Sequence, residues 1–180
     1  MMHELSLKGI LEALLMTADK PLSLEALSAA FEEGNAPAPA ELLEALESLA
    51  KDCEGRAVEL KRLASGYCYQ TRSCYSPWIA RFSAEKPQKY SRALLETLAI
   101  IAWRQPVTRA DIEAIRGVSS AGNHFKTLLE REWIRIAGHR DVPGKPAVYV
   151  TTRAFLDYFN LESLKALPAL TALPQQEAAE

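Results

Sequence analysis

Apolar residues recur at helical spacing along the first 50 positions of the chain. The steps of i, i+3, i+4 and i+7 place them on one face of a helix that packs against a core. They predict three helices, which run from Leu7 to Leu15, from Leu24 to Phe31 and from Leu42 to Ala50. Lys20-Pro21 ends the first helix. Ser23 is placed to cap the second, because its hydroxyl can accept a hydrogen bond from an unpaired backbone N–H.

The pattern then changes to the alternation that is typical of strands. Val58 and Leu60 alternate with charged residues, and Tyr67 to Thr71 is rich in strand formers. Ala64-Ser65-Gly66, which lies between them, is typical of a tight turn. The pattern therefore predicts three helices followed by a hairpin that ends near Arg72.

This order of elements is repeated in the second half of the chain. An apolar stripe from Leu94 to Ala102 ends at Gln105-Pro106, as the first stripe ends at Lys20-Pro21. Thr108 lies 85 residues after Ser23 and takes the same place, two residues beyond its proline. The third helix and the two strands of the second copy are marked by Phe125 to Leu129, Trp133 to Ile136 and Ala147 to Thr151. This self-similarity predicts two copies of one unit.

Three helices closed by a two-stranded hairpin form the winged version of the helix-turn-helix. We therefore expect a mainly α fold with small β-hairpins, of the α+β class, built from tandem winged-helix domains. A short helix is predicted at 76–82, and the apolar run Phe155, Leu156 and Phe159 predicts a closing helix that ends near Asn160. The predicted domains are 1–80 and 91–167, with a polar linker at 81–90 between them and an unstructured tail at 168–180.

Composition narrows the classes of protein to which the chain can belong. It has 180 residues, 48% hydrophobic and 24% charged, which is typical of globular domains and excludes collagen-like, disulfide-scaffold and disordered chains. No run of about 18 apolar residues is present, so we expect no membrane span. The N-terminal residues lack the features of a secretory signal, and we expect a cytoplasmic protein. The cysteines (Cys53, Cys68 and Cys74) form no CxxC pair, so neither a disulfide framework nor a zinc site is indicated.

Residues that could carry catalysis are scattered. His3, His124 and His139 lie far apart in the sequence, and no nucleophile elbow, Walker loop or metalloprotease motif occurs. Thr108 and Asp111 have the spacing of a helix capping box, which is a structural role. We therefore expect no enzyme activity, no catalytic residue, no cofactor and no metal site.

The net charge of −2 conceals two halves of opposite sign. Residues 1–80 carry a net charge of −5, residues 81–167 carry +5 and the tail carries −2. The third helix of the first unit is acidic, so this unit is not expected to bind DNA. The second unit offers polar and basic residues on its third helix and a basic wing at 138–146. Three interpretations of that wing stay open: a protein-binding surface, a DNA-binding surface and a solvated hairpin.

The wing and one tryptophan are the best candidates for contact with a partner. Pro143-Gly144 suits the second and third positions of a type II turn, and Pro146 removes one donor from the strand edge. A stiff hairpin of this kind lowers the ordering cost of binding. Trp103 either caps the core of its unit or serves as an exposed aromatic anchor for a partner segment.

Three stretches of the second unit resemble the bacterial segregation and condensation protein B family. They are Leu95–Val118, the wing Arg140–Pro146 and Thr151–Phe159. The resemblance is strong from about 91 to 167, and over 1–80 it is one of architecture more than of motif. His139 and Lys145 stand where the wing of the family usually carries arginines, and a lysine does not reproduce the bidentate contacts of an arginine.

The resemblance implies a non-enzymatic adaptor of a condensin-like complex that acts in chromosome condensation and partition during cell division. The adaptor would be cytoplasmic and associated with the nucleoid. It would bind the kleisin subunit, segregation and condensation protein A, which bridges the heads of a structural-maintenance-of-chromosomes ATPase. The acidic first unit would form a homodimer, and the second unit would bind the kleisin. The alternative is a winged-helix transcriptional regulator that binds DNA, and a weak DNA contact of the adaptor stays open.

This division of roles selects the candidate contact residues. The predicted kleisin-binding face consists of Trp103, Arg116, Gly117, Val118, Arg140, Pro143, Gly144, Lys145 and Tyr149. The predicted dimerisation residues are Leu7, Leu11, Leu14, Leu42 and Leu46. The first unit is expected to self-associate because its leucine-rich helices carry more apolar residues than a domain of about 75 residues readily buries alone.

Overall fold

The computed structural model describes residues 5–32, 34–83, 89–119 and 122–169. It is mainly helical with small antiparallel sheets, an α+β architecture. The chain forms two compact units, Met1–Leu98 and Ala99–Glu180. The boundary between them falls within a helix, α5 (Arg92–Arg104), and the domain bounds expected from the sequence stay a prediction. Residues 84–88 of the expected linker and the expected tail beyond 169 lie outside the described residues.

The first unit has the predicted order of three helices, a hairpin and a short helix. The helices are α1 (Leu7–Thr17), α2 (Leu24–Ser28), α3 (Pro39–Asp52) and α4 (Ser76–Phe82), and the strands are β1 (Val58–Leu63) and β2 (Gly66–Thr71). The Ser23 hydroxyl accepts a hydrogen bond from the Ala26 N–H at 3.2 Å, which confirms the predicted cap of α2. α2 ends at Ser28 and is therefore shorter than the apolar pattern to Phe31 predicts.

Leucines of the first three helices form the core of the first unit. The fully buried members are Leu11, Leu15, Leu27, Leu42, Leu46 and Leu49. This corrects the predicted dimer surface, because Leu11, Leu42 and Leu46 expose 0%, 1% and 2% of their surface within one chain. A side chain that is buried inside its own unit offers no area to a second copy. Leu7 and Leu14 are half-buried and pack against this core.

The hairpin of the first unit is attached to the helices by one backbone bridge. β1 and β2 pair in antiparallel register, from Val58 opposite Thr71 to the turn at Gly66. Leu22, which follows α1, exchanges two backbone hydrogen bonds with Tyr67, at 2.9 and 2.8 Å. Gly66 has a φ of 143°, and a Cβ at this position would lie 2.1 Å from the Leu22 carbonyl oxygen. Only glycine therefore lets the two segments approach so closely.

The second unit repeats this order around a three-stranded sheet. Its strands are β3 (Val107–Thr108), β4 (Ile134–His139) and β5 (Ala147–Thr151), and its helices after α5 are α6 (Arg109–Arg116), α7 (Gly122–Glu130) and α8 (Arg153–Tyr158). The sheet is antiparallel with the order β3-β5-β4. β5 has the predicted bounds, whereas β4 continues to His139, with an irregularity between Ile136 and Gly138.

Aromatic side chains complete the core of the second unit. Trp133 is 3% exposed, and its ring centroid lies 4.5 Å from that of Tyr158 and 5.3 Å from that of Phe159. Phe155, on the inner face of α8, lies 4.9 Å from Phe159. The predicted closing helix is α8, and it packs onto the start of β4. Among the described residues, no helix has both the length and the apolar character needed to cross a membrane.

The predicted repeat is visible in the backbone pairing of the two units. Val107 lies 85 residues after Leu22, and each of these residues follows the proline that comes after the first helix of its unit. Each pairs with the second strand of its own hairpin, Leu22 with Tyr67 and Val107 with Tyr149. The short third strand therefore has the same place in both copies.

We predict that two neighbouring leucines of α3 respond very differently to truncation. Leu42 is 1% exposed and Leu43 is 37% exposed. Leu42→Ala is expected to lower the free energy of unfolding by about 2–5 kcal/mol, because it leaves a cavity in the core. Leu43→Ala makes the same change in helix propensity and is expected to cost less than about 1 kcal/mol. Urea titration followed by circular dichroism measures both, and equal losses would contradict the core described for the first unit.

Candidate partner-binding site

The wing of the second unit is the connection between β4 and β5, and its tip has a fixed shape. The Lys145 N–H donates to the Val142 carbonyl at 2.9 Å, and Gly144 has a φ of 86°. These are the features of a type II turn with Pro143 and Gly144 at its centre, which confirms the turn predicted from the sequence. Pro143, Gly144 and Lys145 are all exposed, so the tip is accessible to a partner. The tip is stiff because the proline ring fixes φ and a hydrogen bond closes the turn.

Arg140, at the base of the wing, is held by a carboxylate in the first turn of α6. Its Nη1 lies 3.0 Å from Asp111 Oδ1 and its Nη2 lies 2.6 Å from Asp111 Oδ2, a bidentate ion pair. The Asp111 carboxylate also accepts from the Thr108 N–H at 2.8 Å, and the Thr108 hydroxyl accepts from the Asp111 N–H at 3.3 Å. The predicted capping box is confirmed, and the same carboxylate holds the wing base against α6.

These contacts shift the titration of Asp111. The pKa of the Asp111 carboxyl is lowered from 3.8 to about 2. The main cause is hydrogen bonding from the Arg140 guanidinium, and the second is the hydrogen bond from the Thr108 N–H. The pKa of Arg140 is raised by the same partner. Both groups are therefore charged over the whole physiological range. The sequence placed Arg140 on the partner-binding face, and the structure shows that its guanidinium is already paired within the unit.

The other end of α6 carries three of the predicted contact residues. Gly117 ends the helix in the left-handed conformation, with a φ of 69°, and its N–H donates to the Glu113 carbonyl at 2.9 Å. Arg116 is half-buried, while Val118 is 56% exposed. Ile115, which the sequence did not single out, is 55% exposed. The end of α6 thus presents two apolar side chains to solvent, a feature that is typical of contact surfaces when the side chains are adjacent.

Tyr149 lies on β5 and is half-buried, with its ring packed inside the unit. The ring centroid is 4.8 Å from that of Phe125 on α7. The Arg109 guanidinium lies 4.7 Å from the centroid of the same Phe125 ring. Tyr149 thereby contributes to packing between the sheet and α7.

Trp103 combines parts of both interpretations left open by the sequence. It is half-buried in the last turn of α5, and its indole N–H donates to the Pro168 carbonyl at 3.0 Å. The C-terminal segment of the described chain therefore meets its indole edge. Trp103 is neither a fully buried core residue nor a fully exposed anchor.

Gln105 is a positioning residue that no sequence pattern indicates. Its Oε1 accepts from the Thr151 N–H at 2.8 Å, and its Nε2 lies 3.0 Å from the Thr151 hydroxyl. The side chain therefore links the end of α5 to the end of β5, which lie 46 residues apart in the chain. No local pattern reveals a contact over such a separation.

The described groups of this surface are an ion pair, a turn and exposed apolar side chains. The described residues contain no group of three His, Cys, Asp or Glu side chains placed to hold a metal ion. The surface consists of a rigid wing tip, an internal ion pair at the wing base and exposed apolar side chains at the end of α6. Such groups recognise a partner by shape, apolar contact and charge.

Comparison with known proteins supplies the family. The family described as "Segregation and condensation complex subunit ScpB" matches residues 9–170. This chain belongs to the ScpB family. It is 47% identical over 179 residues to the segregation and condensation protein B homolog of Coxiella burnetii, covering 99% of this chain and 86% of that protein. It is 46% identical over 171 residues to the protein B of Syntrophotalea carbinolica, covering 94% and 84%.

A solved structure of the ScpB family is also similar in sequence. It is named as a dimer of the ScpB N-terminal domain complexed with an ScpA peptide, and it is 29% identical, covering 44% of this chain and 93% of that chain with a TM-score of 0.38. The family match over residues 9–170 and the two relatives at 47% and 46% identity confirm the family resemblance noted in the sequence. In this chain the two wing positions that lack arginine are exposed, His139 at the end of β4 and Lys145 at the tip.

We predict that Asp111→Asn destabilises the chain in a pH-dependent manner. The pKa of Asp111 is lowered on folding, so the ion pair contributes stability that is complete above the unfolded-state pKa near 3.8 and is lost as the pH falls through about 2. The variant is expected to have a lower urea midpoint than the natural chain at pH 7, and the difference should shrink by pH 3. Asp141→Asn, an exposed wing residue, is the matched control with an unchanged midpoint. A difference that is constant from pH 7 to pH 2 would contradict the ion pair as its cause.

Proposed function

We propose that this ScpB-family chain is a non-enzymatic adaptor that binds the kleisin subunit of a bacterial condensin-like complex. Through the kleisin it connects to the structural-maintenance-of-chromosomes ATPase and takes part in chromosome condensation and partition during cell division. It acts in the cytoplasm, associated with the nucleoid. The observation that carries the proposal is the match of a segregation and condensation complex subunit family over residues 9–170.

The architecture that serves this function is a tandem of winged-helix domains. Support comes from the order of elements, since each unit has three helices, a short pairing segment and a hairpin. In the second unit, the stiff turn at Pro143-Gly144 and the ion pair of Arg140 with Asp111 hold the wing in place. A surface that is ordered before binding loses less entropy when it meets a partner.

The kleisin contacts the second unit along α6 and the wing. Asp111 and Arg116 are separated by about 7.5 Å along the helix axis, at 1.5 Å per residue. The wing base is fixed at one end of that distance, and the exposed side chains of Ile115 and Val118 lie at the other. Apolar side chains at the centre of an interface contribute most of the binding energy. The wing adds contact area more than net charge, because Arg140 is paired with Asp111 and Asp141 offsets Lys145.

We predict that Val118→Ser weakens binding of the purified kleisin to the full chain by about tenfold, because it removes an apolar contact from the interface. Isothermal titration calorimetry measures the affinity. Met16→Ser is the control, since Met16 is 69% exposed on α1 and lies outside the proposed surface.

Two outcomes would contradict this proposal. Affinity of Val118→Ser equal to that of the natural chain would remove the end of α6 from the interface. Absence of any complex between the natural chain and the kleisin at micromolar concentration would overturn the adaptor function. A mobility shift of duplex DNA whose affinity falls steeply with salt would then favour the alternative, a DNA-binding regulator.

The homodimer of the adaptor forms through α4. Apolar side chains follow one another at helical spacing from the 3-10 turn before α4 to its end, and all are exposed: Tyr75 41%, Trp78 63%, Ile79 39% and Phe82 93%. α4 contains no buried residue, so its apolar stripe is not used by the core of its own unit. A second copy of the first unit covers it, in keeping with the role that the family resemblance gives to this part of the chain.

We predict that the double change Trp78→Ser and Phe82→Ser converts the dimer to a monomer at micromolar concentration. Two large side chains would be lost from the centre of the interface, and their burial provides its main stabilisation. Light scattering of the full chain measures the mass, and Met16→Ser serves again as the exposed apolar control. A double variant that keeps the dimer mass would exclude α4 from the dimer surface.

A further inference from the structure

β4 is an edge strand of the sheet in the second unit. The order β3-β5-β4 gives β4 one neighbour, β5, and the described residues place no strand on its other side. Its central residues, Arg135, Ile136 and Ala137, are all exposed. Ile136 alone exposes 47% of its surface. Native proteins usually protect such an edge, because its free N–H and C=O groups can pair with another chain.

The ladder register shows which backbone groups face outward. The Thr152 N–H donates to the Trp133 carbonyl at 3.1 Å, so the Trp133 carbonyl points toward β5. Because hydrogen-bonded and non-hydrogen-bonded pairs alternate in an antiparallel ladder, the backbone groups of Arg135 also point toward β5. Those of Ile136, opposite Tyr149 in the next pair, point away from β5 to the open edge.

A groove lined mainly by aliphatic side chains lies beside this edge. It has a volume of about 570 Å³. Its apolar lining comes from the end of α7, from β4 and from the start of α8, through Leu129, Ile134, Ile136 and Ala154. Three charged residues also line it, Arg135, Arg153 and Glu132, which leaves an excess of positive charge. Both arginines are exposed.

We propose that an extended, acidic segment of the kleisin adds as a strand to the open edge of β4 and places an apolar side chain in this groove. The main chain of the segment would pair with Ile136, its acidic side chains would meet Arg135 and Arg153, and specificity would come from the groove. The inference rests on the proposed function and adds a second contact to it. β4 leads directly into the wing, so the added strand runs into the proposed kleisin surface.

The lining favours a peptide over a nucleic acid as the occupant. Phosphate contacts need cations and N–H groups but gain nothing from aliphatic side chains. Here aliphatic side chains and two arginines line the same groove, a combination that suits the alternating apolar and acidic side chains of a strand.

Two variants of the full chain test the two parts of the proposal, with isothermal titration of the purified kleisin as the measurement. Ile136→Pro removes the outward N–H, and Ile136→Val keeps it, so the two together separate the backbone pairing from the side chain. Met16→Ser is the control, because Met16 is 69% exposed and lies outside the proposed surface. Arg153→Glu reverses one charge of the groove, and Lys165→Glu is its control at another exposed basic residue of the same unit. Arg153 is the first residue of α8, where an acidic side chain is tolerated, so this variant is expected to fold.

We expect Ile136→Pro and Arg153→Glu each to weaken binding by about tenfold and Ile136→Val to weaken it less than Ile136→Pro does. The controls Met16→Ser and Lys165→Glu are expected to stay within about twofold of the natural chain. Circular dichroism confirms that each variant is folded. Normal affinity of folded Ile136→Pro would overturn strand addition, and normal affinity of Arg153→Glu would overturn the acidic character of the segment. Loss of duplex DNA binding in Arg153→Glu without loss of kleisin binding would assign the arginine to nucleic acid. If the natural chain fails to bind the kleisin at all, the proposed function fails, and this inference fails with it.

Discussion

Within each unit, one short segment pairs with the second strand of the hairpin, and this pairing fixes the hairpin against the helices of the same unit. A hairpin alone is marginally stable in water, and three short helices leave their apolar face open on one side. Leu22 in the first unit and Val107 in the second each join the hairpin to the helices through backbone hydrogen bonds. The close approach at Leu22 requires Gly66, and the pairing at Val107 places Thr108 and Asp111 where α6 begins. The position of each hairpin against the helices of its unit therefore depends on this pairing.

Asp111 extends that constraint to the proposed kleisin surface. Its carboxylate supplies the cap of α6 and the partner of Arg140, so the start of the helix and the base of the wing cannot move independently. Gln105 has a similar effect at the end of β5, because its side-chain amide contacts both the N–H and the hydroxyl of Thr151. A partner that binds both α6 and the wing thus meets one rigid surface, which reduces the entropy lost on association.

Local features of the fold could be predicted from the sequence, and long-range contacts could not. The helices, the Ser23 cap, the capping box at Thr108 and the type II turn at Pro143 depend on residues close together in the chain. β3 has only two residues and shows no period, so it was not predicted. The pairing of Arg140 with Asp111 spans 29 residues, beyond the reach of any local pattern.

Apolar periodicity also cannot separate a core from an interface. It selected Leu42 and Leu46 as dimer residues, although both fill the core of their own unit. The same spacing in α4 gives a stripe that stays exposed, because no element of the first unit packs over Trp78 and Phe82 within the described residues. Only the packing of the other elements distinguishes the two stripes.

The distribution of paired and exposed cations decides which part of the second unit attracts a partner. Arg140 is neutralised by Asp111, so the arginine closest to the wing adds no net charge to its surface. Asp141 offsets the charge of Lys145 in the wing, so the excess of positive charge lies beside the open edge of β4, where Arg135 and Arg153 outnumber Glu132. Screening limits each of these exposed charges to a range of about 8–10 Å at physiological ionic strength. The proposed attraction for an acidic segment therefore comes from β4, and the ion pair of Arg140 with Asp111 holds the base of the wing beside this strand.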